Sequence, residues 1–200
     1  QRQMCIRDSL SSLQEIRLLG LKDLPFCWGE IEECGKDPLE NARQKALAYY
    51  RICGQPVFSQ DSGLYIEGLP KERQPGVHVR RVNGVNLTDE QMRKYYKKIA
   101  AEFGGRCVAQ YQNAICLVFS ENEIYEARGG ALNWKKFWLM TEERPQRMEG
   151  FPLDAICADY RTGRHFYDGE ATMPEEEGDG VRDFFRNALK QHEMRNKIEK

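Results

Sequence analysis

The stretch that decides the fold runs over residues 33–64, E-C-G-K-D-P-L-E-N-A-R-Q-K-A at 33–46 and D-S-G-L at 61–64. Asp37 is a good N-cap and Pro38 suits the first helical position, where a missing N–H costs nothing. Leu39, Ala42, Ala46, Tyr49 or Tyr50, and Cys53 recur at helical spacing, so a helix is predicted from Pro38 to about Ile52, stopped by Gly54. Asn41 and Lys45 are four apart and share one face of it. Val57 and Phe58 then start a short buried strand. Asp61, Ser62 and Gly63 read as a turn before Leu64, Tyr65 and Ile66 resume extended structure.

Outward from this stretch the chain alternates helix and strand signals. Towards the N-terminus, residues 1–10 carry no helix or strand period and read as a disordered or foreign leader, leaving 11–200 as one domain. Ser12 with Glu15 suggests a capping box for a helix through Leu19, and an extended segment is predicted after Gly20. Towards the C-terminus, Asn83 and Gly84 signal a hairpin, and Thr88 caps a helix reaching about Phe103. Residues 106–120 form the longest strand signal and end in an unbroken apolar run typical of a central strand. A turn at Glu121 and Asn122 leads to a second strand, and another is predicted over 135–140. Residues 150–154 form a rigid loop beside the apolar 155–158. A terminal helix runs from Val181, charged and frayed after about Gln191. This mixture indicates one α/β or α+β domain.

Lysine and arginine (30) nearly balance aspartate and glutamate (31), giving a net charge of -1, which excludes a strongly basic binder of nucleic acid polymers. No apolar run reaches the ~18–20 residues of a membrane span. The seven cysteines are scattered without a C-x-x-C pair, which suits buried reduced thiols in a cytoplasmic protein rather than a zinc knuckle.

The chemistry lies in the acids around the first long helix. Glu32 and Glu33 precede its N-terminus, and Asp61 follows the next strand. Carboxylates at such positions can meet in space, and magnesium takes one or two carboxylates together with phosphate oxygens and water. Lys45, and further off Arg80 and Arg81, are candidate phosphate donors. Each also has an ordinary structural role: a solvated acidic loop, a solvated helix face, a turn aspartate. Composition and spacing by themselves stop at a soluble α/β domain with a candidate phosphate site.

The ordered motifs go further. Glu33-Cys-Gly35, Glu40-Asn-Ala-Arg-Gln-Lys-Ala46, Asp61-Ser-Gly-Leu64, Pro75-Gly-Val77 with Arg81, and Gly150-Phe-Pro-Leu-Asp154 resemble, in order and spacing, the inosine triphosphate pyrophosphatase family. The resemblance implies an elongated mixed β-sheet with flanking helices and two lobes around a central cleft. It implies magnesium-dependent hydrolysis of non-canonical purine nucleoside triphosphates to monophosphate and pyrophosphate, a house-cleaning of the nucleotide pool, by a cytoplasmic enzyme that is often a homodimer. By position, Glu33 and Asp61 would serve the metal, and Asp61 would also orient the attacking water. Lys45, with Asn41, Ser62, Gly63 and Arg81, would hold substrate; Phe151 would flank the base, and Asp154 would lie near base or sugar. Two family features are missing. No strand and T-x-N-x-x-K loop opens the chain, read here as a truncated or replaced N-terminus. Asp183-Phe-Phe185 stands where the family has S-H-R, and Asp179 near its lysine. The alternatives are a non-catalytic nucleotide sensor on the same scaffold, or a pyrophosphatase for another modified nucleotide.

Overall fold

The computed structural model describes residues 16–24, 29, 31–168 and 178–198. Its spine is β4, Arg106–Ser120, fifteen residues long. Along one edge β4 pairs antiparallel with β1, Val57–Ile66, in an unbroken register from Val57↔Val118 to Ile66↔Ala109. The other edge is shared. Its start pairs with β6, Phe137–Met140, and its end with β5, Glu123–Arg128. β7, Cys157–Asp159, extends the sheet beyond β6. Between β5 and β6 the edge is filled by a glycine turn: Gly129 N–H donates to the Asn113 carbonyl and Trp134 N–H to that of Tyr111. Every pairing among the described strands is antiparallel, so the parallel member of a mixed sheet is not among them.

Among the described residues, three α-helices flank the sheet. α1, Pro38–Cys53, begins as the sequence predicts: Asp37 accepts from the Leu39 and Glu40 amides, and Gly54 closes the helix in the left-handed region at φ 62°. Its alanines Ala42 and Ala46 bring it close against Cys116 and Val118 on one face of the sheet. α2, Asp89–Glu102, carries the Thr88–Gln91 capping box. α3, Gly178–Ile198, covers the face opposite α1, where Val181, Phe185 and Ala188 pack on Ile115 and Leu117. The hairpin is also where it was predicted: β2, Arg81–Val82, and β3, Val85–Asn86, are joined by Asn83 and Gly84, both at positive φ.

The apolar interior divides along β4. One cluster gathers Leu64, Ile66, Tyr96, Ile99, Ala109, Phe137, Leu139, Leu153 and Ile156 around the start of β4, under α2. The other two lie at its end, beneath α1 and α3. These are the two lobes that the resemblance implies. Each fully buried leucine or isoleucine contributes about 1.5–3 kcal/mol.

Four readings are corrected. Asp61, Ser62 and Gly63 are not a turn but the middle of β1, held straight by Ala114, Asn113 and Gln112 of β4. Turn propensity is local, and ten consecutive pairs with a distant strand override it. Gly63 is required by a close approach rather than by backbone conformation: a Cβ there would lie 3.0 Å from the Gly76 carbonyl carbon. Residues 16–20 are not helical; the part of that predicted helix over 11–15 lies outside the described residues. The extended segment after Gly20 opens with a single 3-10 turn, Leu21–Asp23, which the Asp23 carboxylate closes by accepting from the Gly20 amide. The last helix starts at Gly178 and continues through its charged end to Ile198. The leader and the acidic 173–177 lie outside the described residues.

Candidate active site

The acidic loop over 31–36 is folded back onto the first turn of α1. Gly35 N–H donates to Asn41 Oδ1 at 2.8 Å, Lys36 N–H to Glu40 Oε2 at 2.7 Å, and Cys34 N–H to Gln44 Oε1 at 3.3 Å. Three side chains of one helix thus satisfy three successive loop amides. The fit leaves no space at Gly35, where a Cβ would sit 2.4 Å from Asn41 Oδ1 and 2.8 Å from Glu40 Cβ.

The other end of the Asn41 amide reaches the sheet. Its Nδ2 donates to Asp61 Oδ2 at 3.0 Å, while Lys45 Nζ donates to Asp61 Oδ1 at 3.2 Å. Lys45 also pairs with Glu33 Oε1 at 3.1 Å. One ammonium therefore stands between two carboxylates from different elements. The Lys45 and Asp61 side chains are only 18% and 16% exposed, and Glu33 is 42% exposed, so the cluster is a recess open at its Glu33 side. Neither Lys45 nor Asp61 has the bland surface role that its residue type alone suggests.

The other candidates are placed differently. Ser62 alternates with Asp61 along β1 and lies on the α3 side, where its hydroxyl meets Asn113 Oδ1 at 2.7 Å. Gly63 lies beside Gly76, since Leu64 and Gly76 exchange both backbone hydrogen bonds; Pro75-Gly-Val77 is thereby pinned to the edge of β1 next to the cluster. Arg81 is exposed on β2 and makes no hydrogen bond or ion pair with the cluster. Arg80 is committed elsewhere, to the Leu87 carbonyl and Asp89. Phe151 and Asp154 lie past β6, half-buried, and share no hydrogen bond with Asp61. Burial alone pushes the Asp154 carboxyl up to about 6.

Asn113 was not singled out from sequence. It is 3% exposed, donates from Nδ2 to the Leu132 carbonyl at 2.5 Å, and accepts from Ser62. The signal available was a polar residue immediately before the apolar run of β4. The three described buried thiols, Cys107, Cys116 and Cys157, are pushed up by burial, Cys107 to about 11 and Cys116 to about 12, which leaves them protonated and unreactive. Among the described residues no group of three or more histidines, cysteines, aspartates or glutamates is disposed to hold a metal; in the cluster itself the carboxylates are those of Glu33 and Asp61. Their hard oxygens suit magnesium or calcium rather than a soft metal.

The comparison with known proteins bears on this geometry. A family model described as the Ham1 family matches residues 5–133. The chain belongs to the Ham1 family. Curated relatives include the dITP/XTP pyrophosphatase of Geobacter sulfurreducens, 42% identical over 73 residues, 36% of this chain and 35% of the relative. That of Elusimicrobium minutum is 34% identical over 129 residues, 64% of each chain. The chain spans about half the length of the curated relatives it matches. Among solved structures, the Staphylococcus aureus Ham1 protein has a TM-score of 0.60 at 23% identity, covering 99% of this chain and 95% of that one. A HAM1 protein from Coxiella burnetii has a TM-score of 0.60 at 25% identity, covering 93% and 94%. The Ham1 match takes in the whole cluster of Glu33, Asn41, Lys45 and Asp61, with Ser62, Gly63 and Arg81, and ends before Phe151 and Asp154.

Proposed function

We propose that this chain hydrolyses non-canonical purine nucleoside triphosphates to the monophosphate and pyrophosphate. The carrying observation is Asp61, held from one side by Asn41 and Lys45 and faced through Lys45 by Glu33, in a member of a family whose curated relatives are named dITP/XTP pyrophosphatases.

In this reading Glu33 and Asp61 hold a magnesium ion. When bound, magnesium neutralises charge on the phosphate oxygens. Asp61 accepts a hydrogen bond from the attacking water and aims it at the anhydride phosphorus. The Asn41 amide fixes the Asp61 carboxylate plane. Lys45, which stands between Glu33 and Asp61, would counter the negative charge that develops on the phosphates. Arg81 reaches the outer phosphates from the exposed hairpin, Gly63 keeps the backbone beside Asp61 free of a side chain, Ser62 braces the strand from its far face through Asn113, and Phe151 and Asp154 meet the base and sugar. A homodimer in the cytoplasm belongs to the same reading, supported by the family resemblance; light scattering reads the former.

Pyrophosphate release tests the proposal, with ITP, dITP, XTP, ATP and GTP each assayed with and without magnesium. The expected result is turnover of ITP, dITP and XTP above ATP and GTP, lost on chelation. Absence of turnover with every nucleotide at saturating magnesium would sink it.

A further inference from the structure

The face of the sheet that carries Asp61 continues past the acidic cluster. Side chains alternate along a strand, so Asp61, Gly63 and Tyr65 of β1 share a face with Ala114, Gln112 and Gln110, their partners on β4. α1 packs on this face over Cys116 and Val118, towards the end of β4. On the other side of Asp61 the strip is open: Gln112 is exposed and Tyr65 half-buried. Between them lies Gly63, where an added Cβ would come 2.9 Å from Tyr65 Cε2. The phenol ring is therefore laid back along β1 over the glycine, towards Asp61. Gln112 flanks the same glycine from the neighbouring strand, as its register partner. Neither the Tyr65 hydroxyl nor the Gln112 amide makes a hydrogen bond with a described residue. Gln110, one step further along β4, is by contrast committed, donating to the Trp134 carbonyl at 2.8 Å. Burial, and after it the charge of Asp37, pushes the Tyr65 phenol up, so it keeps its proton.

We propose that Tyr65 and Gln112 form a phosphate-binding subsite over Gly63, taking an oxygen of the triphosphate chain beside the phosphate that Asp61 addresses. A phenol hydroxyl and a carboxamide N–H both donate, and an ionised phosphate oxygen accepts from both. Gly63 follows Asp61 by two residues, about 7 Å along the strand, a step that a triphosphate chain spans. Being neutral, the two donors are not drawn into ion pairs with Glu33 and Asp61, as Lys45 is. They stay available to the ligand beside a pair of acids. The glycine belongs to the design: a side chain at position 63 would push the phenol ring off the strip, with the Gly76 backbone closing the way on the other side at 3.0 Å.

This inference rests on the proposed hydrolase reading for its substrate, and two assays keep them apart. Calorimetry with inorganic tripolyphosphate and magnesium reads the subsite without a base and without turnover of a nucleotide. Steady-state kinetics with ITP read it in the reaction. Both are run on the full chain, on Tyr65→Phe and on Gln112→Ala. Each variant should weaken tripolyphosphate about 3–10-fold, the worth of one neutral hydrogen bond, and raise KM for ITP by a similar factor. The melting temperature should stay level, since neither group has a protein partner to lose. A tripolyphosphate affinity unchanged in either variant, a lowered melting temperature, or no binding of tripolyphosphate to the parent chain would overturn the assignment. ITP turnover with an unaltered KM in both variants would overturn it too and leave the hydrolase reading standing. Tripolyphosphate binding that both variants weaken, in a chain that turns over no nucleotide, would uphold the subsite and reject the hydrolase reading alone.

Discussion

At the scale of single residues, Lys45 is the informative one. Its ammonium neutralises two acids that would otherwise repel across a recess, so its removal has consequences beyond lost phosphate contact. Lys45→Met is predicted to lower kcat/KM for ITP at least 100-fold. Asp61→Asn keeps the shape and one acceptor but loses the charge. It is predicted to lower kcat by about 10²–10⁴-fold, the usual contribution of a positioned general base, with a smaller change in KM; single-turnover kinetics would separate the two. Gly35 makes a contrasting case, in which geometry rather than charge decides. The Cβ of Gly35→Ala would overlap Asn41 Oδ1 at 2.4 Å. The loop must lift, at a cost of about 1–3 kcal/mol, and Asn41 is pushed off Asp61. Lowered melting temperature together with lowered kcat is the expected pair of results. An unchanged melting temperature would show that the loop relaxes freely.

At the scale of elements, α3 is fastened to the hairpin of β4 and β5 by a polar clamp over an apolar one. Phe185 meets Phe58 edge-on, and the His192 ring stacks on Phe119 with centroids 3.9 Å apart. His192 Nδ1 lies 2.9 Å from Glu123 Oε1, which also accepts from the Tyr125 hydroxyl. Burial alone would raise the Glu123 carboxyl, but the hydrogen bonds from His192 and Tyr125 and the charges of His192 and Arg195 outweigh it, leaving it below its ordinary value of 4.5. A carboxyl depressed by folding stabilises the fold above its unfolded value and loses that contribution as the pH falls through the folded one. Glu123→Gln should therefore narrow the stability difference between pH 6 and pH 3, read by urea unfolding at each pH. A variant with the same acid limb as the parent would show that the clamp does not couple to protons.

Elements also show what could be read from the chain. α1 was legible because its signals are local: Asp37, Pro38 and Gly54 mark its ends, and the i, i+4 spacing puts Asn41 beside Lys45. β1 was not, because Asp61-Ser-Gly63 has turn composition and only the register with β4 straightens it. The same limit hid Asn113, whose partners come from residues 51 positions before it and 19 after it. The buried, unpaired hydroxyl of Tyr167 was invisible for a third reason, since such a group is a property of packing rather than of pattern. Where the sequence carried motifs, at Glu33, Lys45 and Asp61, it located the cluster without revealing that one lysine bridges both acids.

At the scale of the whole molecule, Asn113 sits where the two lobes meet, opposite Ser62 and against the glycine turn that separates β5 from β6 on the shared edge of β4. Asn113→Ala removes its side-chain hydrogen bonds and takes the Nδ2 donor from the Leu132 carbonyl. The predicted loss is about 1–3 kcal/mol, the cost of one buried group left unsatisfied, measured by denaturant unfolding. A loss under about 0.5 kcal/mol would mean that water replaces the amide.

The unbroken ladder between β1 and β4 carries one more consequence. Ten consecutive residue pairs run from the core beneath α1 and α3 to the core beneath α2. Neither core can open its own stretch of backbone without exposing amides that the other keeps closed. The slowest protons to exchange with deuterium should therefore be those of residues 109–118, released only when the whole sheet opens. The carboxylate at position 61 is mounted on the last part of the molecule to let go.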